Sequence, residues 1–171
     1  MRSTSSRLRC VVVFLLASAT LRAQTPAIPA AVRASLDKSH PGWAIVPSPD
    51  ATTSTVAAGD FDGDGAPDYA AFIVYRAQTS GTRGSPEGRV MAFLKTDRGY
   101  RAVNVTGPID APRQQRIGIR TLGKGTEQYD LNENRKFTLE RDGIRVSPLN
   151  SGPCHTFVYR GEAFVGFWTC D

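Results

Sequence analysis

A short acidic loop between Asp60 and Asp68 constrains this chain more than any other part of its sequence. It reads Asp-Phe-Asp-Gly-Asp-Gly-Ala-Pro-Asp, so that four carboxylates alternate around two glycines. Two carboxylates about 5 Å apart repel each other by about 3 kcal/mol at an effective dielectric constant near 20. The loop therefore favours a bound cation, and the alternative is an exposed turn whose acids are merely solvated.

The spacing of these acids is typical of a calcium-binding loop. In such a loop the first, third, fifth and ninth positions supply side-chain oxygens, the seventh supplies a main-chain carbonyl, and a glycine at the sixth allows a sharp turn. Gly65 stands at the sixth position. We predict a Ca²⁺ site with these ligands: Asp60, Asp62, Asp64, the carbonyl of Ala66, and Asp68.

The loop does not fit an EF-hand, because its twelfth position is Ala71 instead of a bidentate Glu. The flanking segments, Thr52 to Ala58 and Tyr69 to Tyr75, have the composition of strands. This strand–loop–strand pattern, from Ala58 to Val74, resembles the calcium loop of FG-GAP and VCBS-type repeats, which occur in integrin α-subunit propellers and in many secreted bacterial proteins.

The resemblance implies that the five predicted ligands hold a calcium ion. Because the loop lies between two expected strands and lacks a Glu at its twelfth position, we expect the ion to have a structural role, with rigidification confined to about residues 57–74. A propeller needs many blades, and the sequence contains no second loop of this kind. A complete propeller is therefore excluded. The chain also resembles small secreted bacterial proteins that carry one such loop and end in an aromatic hairpin.

Residues 1–23 are predicted to be a cleaved signal peptide. Arginines open this segment, the short apolar run Cys10 to Leu16 follows, and small residues allow cleavage after Ala19 or Ala23. The run is too short to span a bilayer, although a retained membrane anchor is the alternative. We expect a secreted or periplasmic protein with no membrane span in the mature chain.

The remaining residues, 24–171, are predicted to form a single calcium-loop domain rich in β-strands. Cleavage after Ala23 removes four of the 21 basic residues and none of the 16 acidic residues, which leaves a net charge of +1. Nucleic-acid binding needs a concentrated basic face, and the mature chain has no Lys/Arg run. We therefore exclude nucleic acid as a partner and expect an unknown protein or carbohydrate ligand.

The mature chain keeps an even number of cysteines, Cys154 and Cys170. They lie at the ends of a nearly symmetrical aromatic segment that is expected to fold as a hairpin about Gly161-Glu162. In an oxidising compartment a disulfide between them would close a loop of about 17 residues and stabilise the fold by about 3 kcal/mol. The alternative is a reactive thiol next to His155, but adjacent residues of a strand point to opposite faces.

The fold class is predicted to be mainly β (α+β), a twisted antiparallel sheet with one N-terminal helix. The helix is expected from Ala30 to Lys38, with Val32 and Leu36 facing the sheet, and with Arg33 and Asp37 facing water.

Among the strands, Tyr69 to Tyr75 is apolar on both faces and is expected in the sheet interior. Asp142-Gly143 is typical of a two-residue hairpin turn and predicts that Phe137–Arg141 pairs with Ile144–Ser147. The segment from Ala77 to Gly88 is interpreted as a loop.

Two functional classes follow from these observations. The first is a secreted calcium-binding structural or binding module without catalysis. The second is a small secreted hydrolase, for example acting on glycans, whose calcium is structural. Glu127, Asp130 and Glu133 are candidate acids for such a hydrolase, but we interpret them as part of a solvated loop. We favour the first class because no nucleophile–base–orienter set is visible.

Overall fold

The computed structural model describes residues 27–50, 52–75, 87–110, 117–149 and 152–170. The predicted signal peptide, residues 1–23, and most of the loop predicted from Ala77 to Gly88 lie outside these residues. Among the described residues, no helix has the length and apolar character needed to cross a membrane.

The fold is mainly β with one short helix, as predicted, and its sheets are open and antiparallel. Within the ranges that the structure describes there is no closed barrel and no propeller. The elements are α1 (Ala30–Ser39), β1 (Trp43–Ile45), β2 (Val56–Gly59), β3 (Asp68–Tyr75), β4 (Glu87–Thr96), β5 (Gly99–Asn104), β6 (Ile109–Asp110), β7 (Ile117–Leu122), β8 (Glu127–Asp130), β9 (Arg135–Thr138), β10 (Gly143–Pro148), β11 (Cys154–Arg160) and β12 (Ala163–Cys170).

The first sheet has the strand order β1-β3-β4-β5, with β2 also paired to β3 and β6 to β4. Strand β3 lies in its interior and is buried on both faces, as its apolar sequence predicts. Ala70 and Phe72 face the second sheet, whereas Ala71 and Ile73 face the helix.

Helix α1 packs on the outer face of the first sheet. Val32 and Leu36 are buried, whereas Arg33 and Asp37 are exposed, which confirms the predicted orientation. The two apolar side chains contact a cluster that includes Ile73 of β3. Burial of a Val or Leu side chain contributes about 1.5–3 kcal/mol, so this packing, rather than a side-chain cap, holds the helix.

The second sheet has the order β12-β11-β10-β7. Its terminal hairpin, β11–β12, turns where predicted, and Cys154 is opposite Cys170. The two cysteines form the predicted disulfide, with their Cα atoms 5.0 Å apart.

The two sheets pack face to face around the largest apolar core. The first sheet contributes Phe72 and Leu94, the second contributes Ile119 and Ile144, and Phe61 of the acidic loop enters between them. Phe61 is fully buried. The loop is therefore attached to the interior of the molecule by its second residue.

The predicted hairpin about Asp142-Gly143 is wrong. Phe137 lies on β9, which pairs with β8, whereas β10 pairs with β7 and β11. Gly143 does not take the positive φ that a hairpin turn of this type needs. It is instead a strand residue, where an added Cβ would lie 3.2 Å from Leu139 Cδ1.

The interpretation of Glu127, Asp130 and Glu133 as a solvated loop is also wrong in part. Glu127 to Asp130 form strand β8, and Asp130 is buried. The β8–β9 ribbon covers the outer face of the second sheet, where Phe137 lies 4.6 Å, between ring centroids, from Phe167. A four-residue polar strand has too little apolar periodicity to be seen in the sequence.

Candidate metal centre

The acidic loop joins β2 to β3 and is closed by the last pair of that ladder, Gly59 opposite Asp68. Two glycines let the loop curl, since Gly63 and Gly65 have φ values of 82° and 86°, in the left-handed region that other residues rarely adopt. The curl brings three of the four acids, Asp60, Asp62 and Asp68, to the inside of the loop.

Carboxylate oxygens of Asp60, Asp62 and Asp68 all lie within 4.8 Å of one another. A calcium ion holds oxygens at about 2.3–2.6 Å, so that ligands on opposite sides of it are about 5 Å apart. The separation therefore fits a hard cation of this size at the centre of the group.

Asp68 is the buried member of the group and is fully inaccessible to solvent. Its Oδ2 accepts the N–H groups of Phe61 (2.9 Å) and Asp62 (3.3 Å), and its Oδ1 accepts that of Lys95 (2.7 Å). No basic side chain among the described residues forms an ion pair with it. Its charge is thus compensated by backbone N–H groups alone.

Burial raises the pKa of Asp68 to about 6, although the N–H of Lys95 opposes the shift, and the nearby charge of Asp62 adds to it. The pKa of Asp62 is also raised, first by burial and then by the charges of its acidic neighbours. Both shifts have the same cause, since negative charges are collected where little water reaches them. A bound cation would reverse both shifts.

The remaining loop hydrogen bonds orient the other acids. Asp60 accepts from the N–H of Gly63 through Oδ1 (2.8 Å) and from the N–H of Gly65 through Oδ2 (3.1 Å). Asp62 Oδ1 accepts from the N–H of Asp64 at 3.2 Å. Each inward carboxylate is therefore held in place before any ion binds.

Three of the five predicted ligands come together in the described structure. Asp64 is exposed, lies outside the group, and accepts the N–H of Ala66 at 2.7 Å. Ala66 itself is half-buried. Asp64 and the Ala66 carbonyl remain predicted ligands.

The acidic loop is also contacted by Arg141 and Asp142, the two residues that immediately precede β10 of the second sheet. Asp142 Oδ2 accepts the N–H of Asp60 at 3.0 Å, and the Arg141 guanidinium donates to the carbonyl of Asp62. These contacts could not be predicted from the sequence, because the residues are about 80 positions apart and Asp142-Gly143 is typical of a turn.

The acids of the β8–β9 ribbon are occupied by local partners. Glu127 pairs with Lys136 at 2.7 Å, Glu133 pairs with Arg135 at 2.8 Å, and the buried Asp130 accepts the N–H of Asn132. The group of acids that converges at the acidic loop in the described structure does not include them. The converging carboxylate oxygens of the acidic loop are suited to coordinating a hard cation.

Comparisons with protein-family models, with curated proteins and with solved structures each find no match to this chain.

Proposed function

We propose that this protein is a secreted calcium-binding module with a structural or ligand-binding role and no catalytic activity. The ion is bound by an FG-GAP/VCBS-type loop through Asp60, Asp62, Asp64, the Ala66 carbonyl and Asp68. One observation carries the proposal. A fully buried carboxylate, Asp68, meets two other carboxylates within 4.8 Å, with no basic side chain among the described residues paired to them.

Calcium is favoured by the chemistry of the donors. All of them are oxygens, and the group contains no imidazole or thiolate of the kind that zinc or copper prefers. Carboxylates on a curled loop adapt to the irregular, high coordination of calcium, whereas magnesium demands a nearly ideal octahedron.

Secretion is supported by the Cys154–Cys170 disulfide, since such bonds persist in oxidising compartments. The disulfide agrees with the predicted signal peptide at residues 1–23. A protein or carbohydrate on the outside of the cell is the class of partner we propose.

The hydrolase alternative lacks a specific supporting observation. It calls for free acids in a cleft beside the loop. Asp142, an acid beside the loop, already accepts two backbone N–H groups, from Asp60 and Lys124.

Calcium titration of the secreted protein tests the proposal. In buffer freed of metals, calcium at about 100 times its dissociation constant should stabilise the fold by about 2.7 kcal/mol, measured by thermal unfolding. Asp62→Ala should abolish the stabilisation. Asp64→Ala should weaken it less, because Asp64 lies outside the buried group.

Asp37→Ala is the matched control, since it removes an exposed acid from helix α1. It should leave the calcium response unchanged, and magnesium at the same concentration should stabilise the wild type less than calcium. Identical wild-type melting temperatures with and without calcium would exclude the proposed site.

A further inference from the structure

We infer that Asp142 is a positioning residue of the metal centre: from the second sheet, it fixes the backbone of Asp60 and thereby sets the calcium affinity. This inference rests on the proposed calcium-binding function. It adds a residue that lies about 80 positions along the chain from the acidic loop and outside the loop's own motif.

The carboxylate of Asp142 bridges two segments of backbone. Its Oδ2 accepts the N–H of Asp60 at 3.0 Å, and its Oδ1 accepts the N–H of Lys124 at 2.9 Å. Lys124 follows β7, so Asp142 is itself held by the second sheet. Beside it, the Thr121 hydroxyl donates to the carbonyl of Ala58 at 2.7 Å. The strand that leads into the loop and the first residue of the loop are thus attached to the second sheet at two points, Ala58 and Asp60.

The close approach of these segments depends on Gly59. A Cβ added there would lie 2.8 Å from Phe61 Cε1, 2.9 Å from Asp142 Oδ2 and 2.9 Å from Thr121 Cγ2. Gly59 has no positive φ that would require glycine. The absence of its side chain leaves room both for the buried ring of Phe61 and for Asp142, which reaches the N–H of the next residue, Asp60.

A carboxylate is the side chain that satisfies both donors. Asn at this position would keep one acceptor oxygen and turn its NH₂ group toward the other N–H, which would place two donors against each other. Asn has nearly the same size as Asp, so Asp142→Asn removes one hydrogen bond and one charge while leaving the packing unchanged.

The hydrogen bond from the Asp60 N–H to Asp142 should affect metal affinity because Asp60 is the first of the proposed ligands. Its backbone N–H is held by Asp142, and its two carboxylate oxygens are held by Gly63 and Gly65. Partners that orient metal ligands typically change metal affinity by about 10–100-fold when they are mutated. We expect Asp142→Asn to weaken calcium binding by about 10-fold, which is the low end of that range.

The test is calcium titration calorimetry on the secreted protein, at a temperature well below every variant's melting temperature. Two controls accompany Asp142→Asn. Glu140→Gln removes an exposed charge two residues away that forms no ion pair in the described structure. Val158→Ala destabilises the apolar cluster on the far face of the second sheet. Both controls should keep the wild-type dissociation constant.

Terbium luminescence supplies a second readout. Terbium replaces calcium in oxygen sites, and its lifetimes in H₂O and D₂O count the water molecules on the ion. If Asp142 positions Asp60, Asp142→Asn should add coordinated water, and the two controls should not. A purely structural role of Asp142 would lower the melting temperature without this change.

The outcomes separate the inference from the function that it rests on. Weaker calcium binding and more coordinated water in Asp142→Asn alone support the inference. Wild-type affinity both in Asp142→Asn and in Asp142→Ala, which removes both acceptor oxygens, overturns it while leaving calcium binding intact. Equal weakening in Glu140→Gln overturns it in favour of a long-range charge effect. A wild type that binds no calcium overturns both.

Discussion

Asp68 contributes strongly to the pH dependence of the acidic loop, together with Asp62, whose pKa is also raised. Its carboxyl is fully buried, and burial raises its pKa from an ordinary 3.8 to about 6. An acid whose folded-state pKa is raised contributes stability below its unfolded-state pKa and loses that contribution as the pH rises through the folded-state value. Without metal, Asp68 therefore destabilises the protein progressively between about pH 4 and pH 6.

We predict the opposite trend for the stabilisation that calcium supplies. Calcium binds the ionised carboxylates and competes with protons for them, so its effect should be small near pH 4 and large above pH 6. Melting temperatures in metal-free buffer and in excess calcium, measured across this interval, test the prediction. A gap between the two melting curves that stays constant with pH would contradict it.

The ligand residues that lie close together in the sequence could be predicted from the sequence. Asp60, Asp62 and Asp68 lie within one short loop, so that their spacing and the two glycines were enough to predict their convergence. Asp142 could not be predicted in the same way. Its role depends on how two sheets pack, and no local pattern carries that information.

At the scale of elements, symmetry decided which hairpins could be predicted. The β11–β12 segment has aromatic residues on both arms and a central Gly161, which has a φ of 63° in the turn. The Asp142-Gly143 pattern covers only two residues, and it led to the incorrect prediction that the strand at Phe137 pairs with β10. β9 instead pairs with β8 around a turn in which Asn134 has a positive φ of 51°.

The disulfide is expected to stabilise the β11–β12 hairpin independently of the metal. Replacing both cysteines, Cys154→Ser with Cys170→Ser, opens a loop of about 17 residues and should lower the free energy of unfolding by about 3 kcal/mol. Denaturant unfolding measures the loss. The calcium dissociation constant should not change, because Asp60, Asp62 and Asp68 lie in a different hairpin. A large loss of calcium affinity would show that the two hairpins are coupled.

For the whole molecule, the order of layers is helix, first sheet, second sheet and β8–β9 ribbon. The helix and the interior position of β3 could be predicted, because their apolar periodicity is strong. The division of the strands into two packed sheets could not be predicted. Strand β7 carries a glycine and an arginine among its apolar residues, and its place beside β10 depends on pairing across about 20 residues of sequence.

The packing of the two sheets changes what calcium should do to the molecule. The loop by itself predicts rigidification confined to about residues 57–74. However, Asp142 joins the loop to the N–H of Lys124, and Phe61 is buried between the sheets. Coordination of calcium by Asp60 should therefore also reduce the backbone motion of the segment after β7, at Lys124.

Hydrogen exchange with and without calcium tests this extension. We expect calcium to slow exchange at the amides of the acidic loop and also at Lys124, whose N–H is bonded to Asp142. The β11–β12 hairpin should not respond, because its own ladder and disulfide hold it. In Asp142→Asn the effect at Lys124 should disappear while the loop retains part of its protection. Protection that ends at the loop in the wild type would mean that the second sheet does not sense the ion, and protection throughout β11–β12 would mean that calcium controls the whole fold.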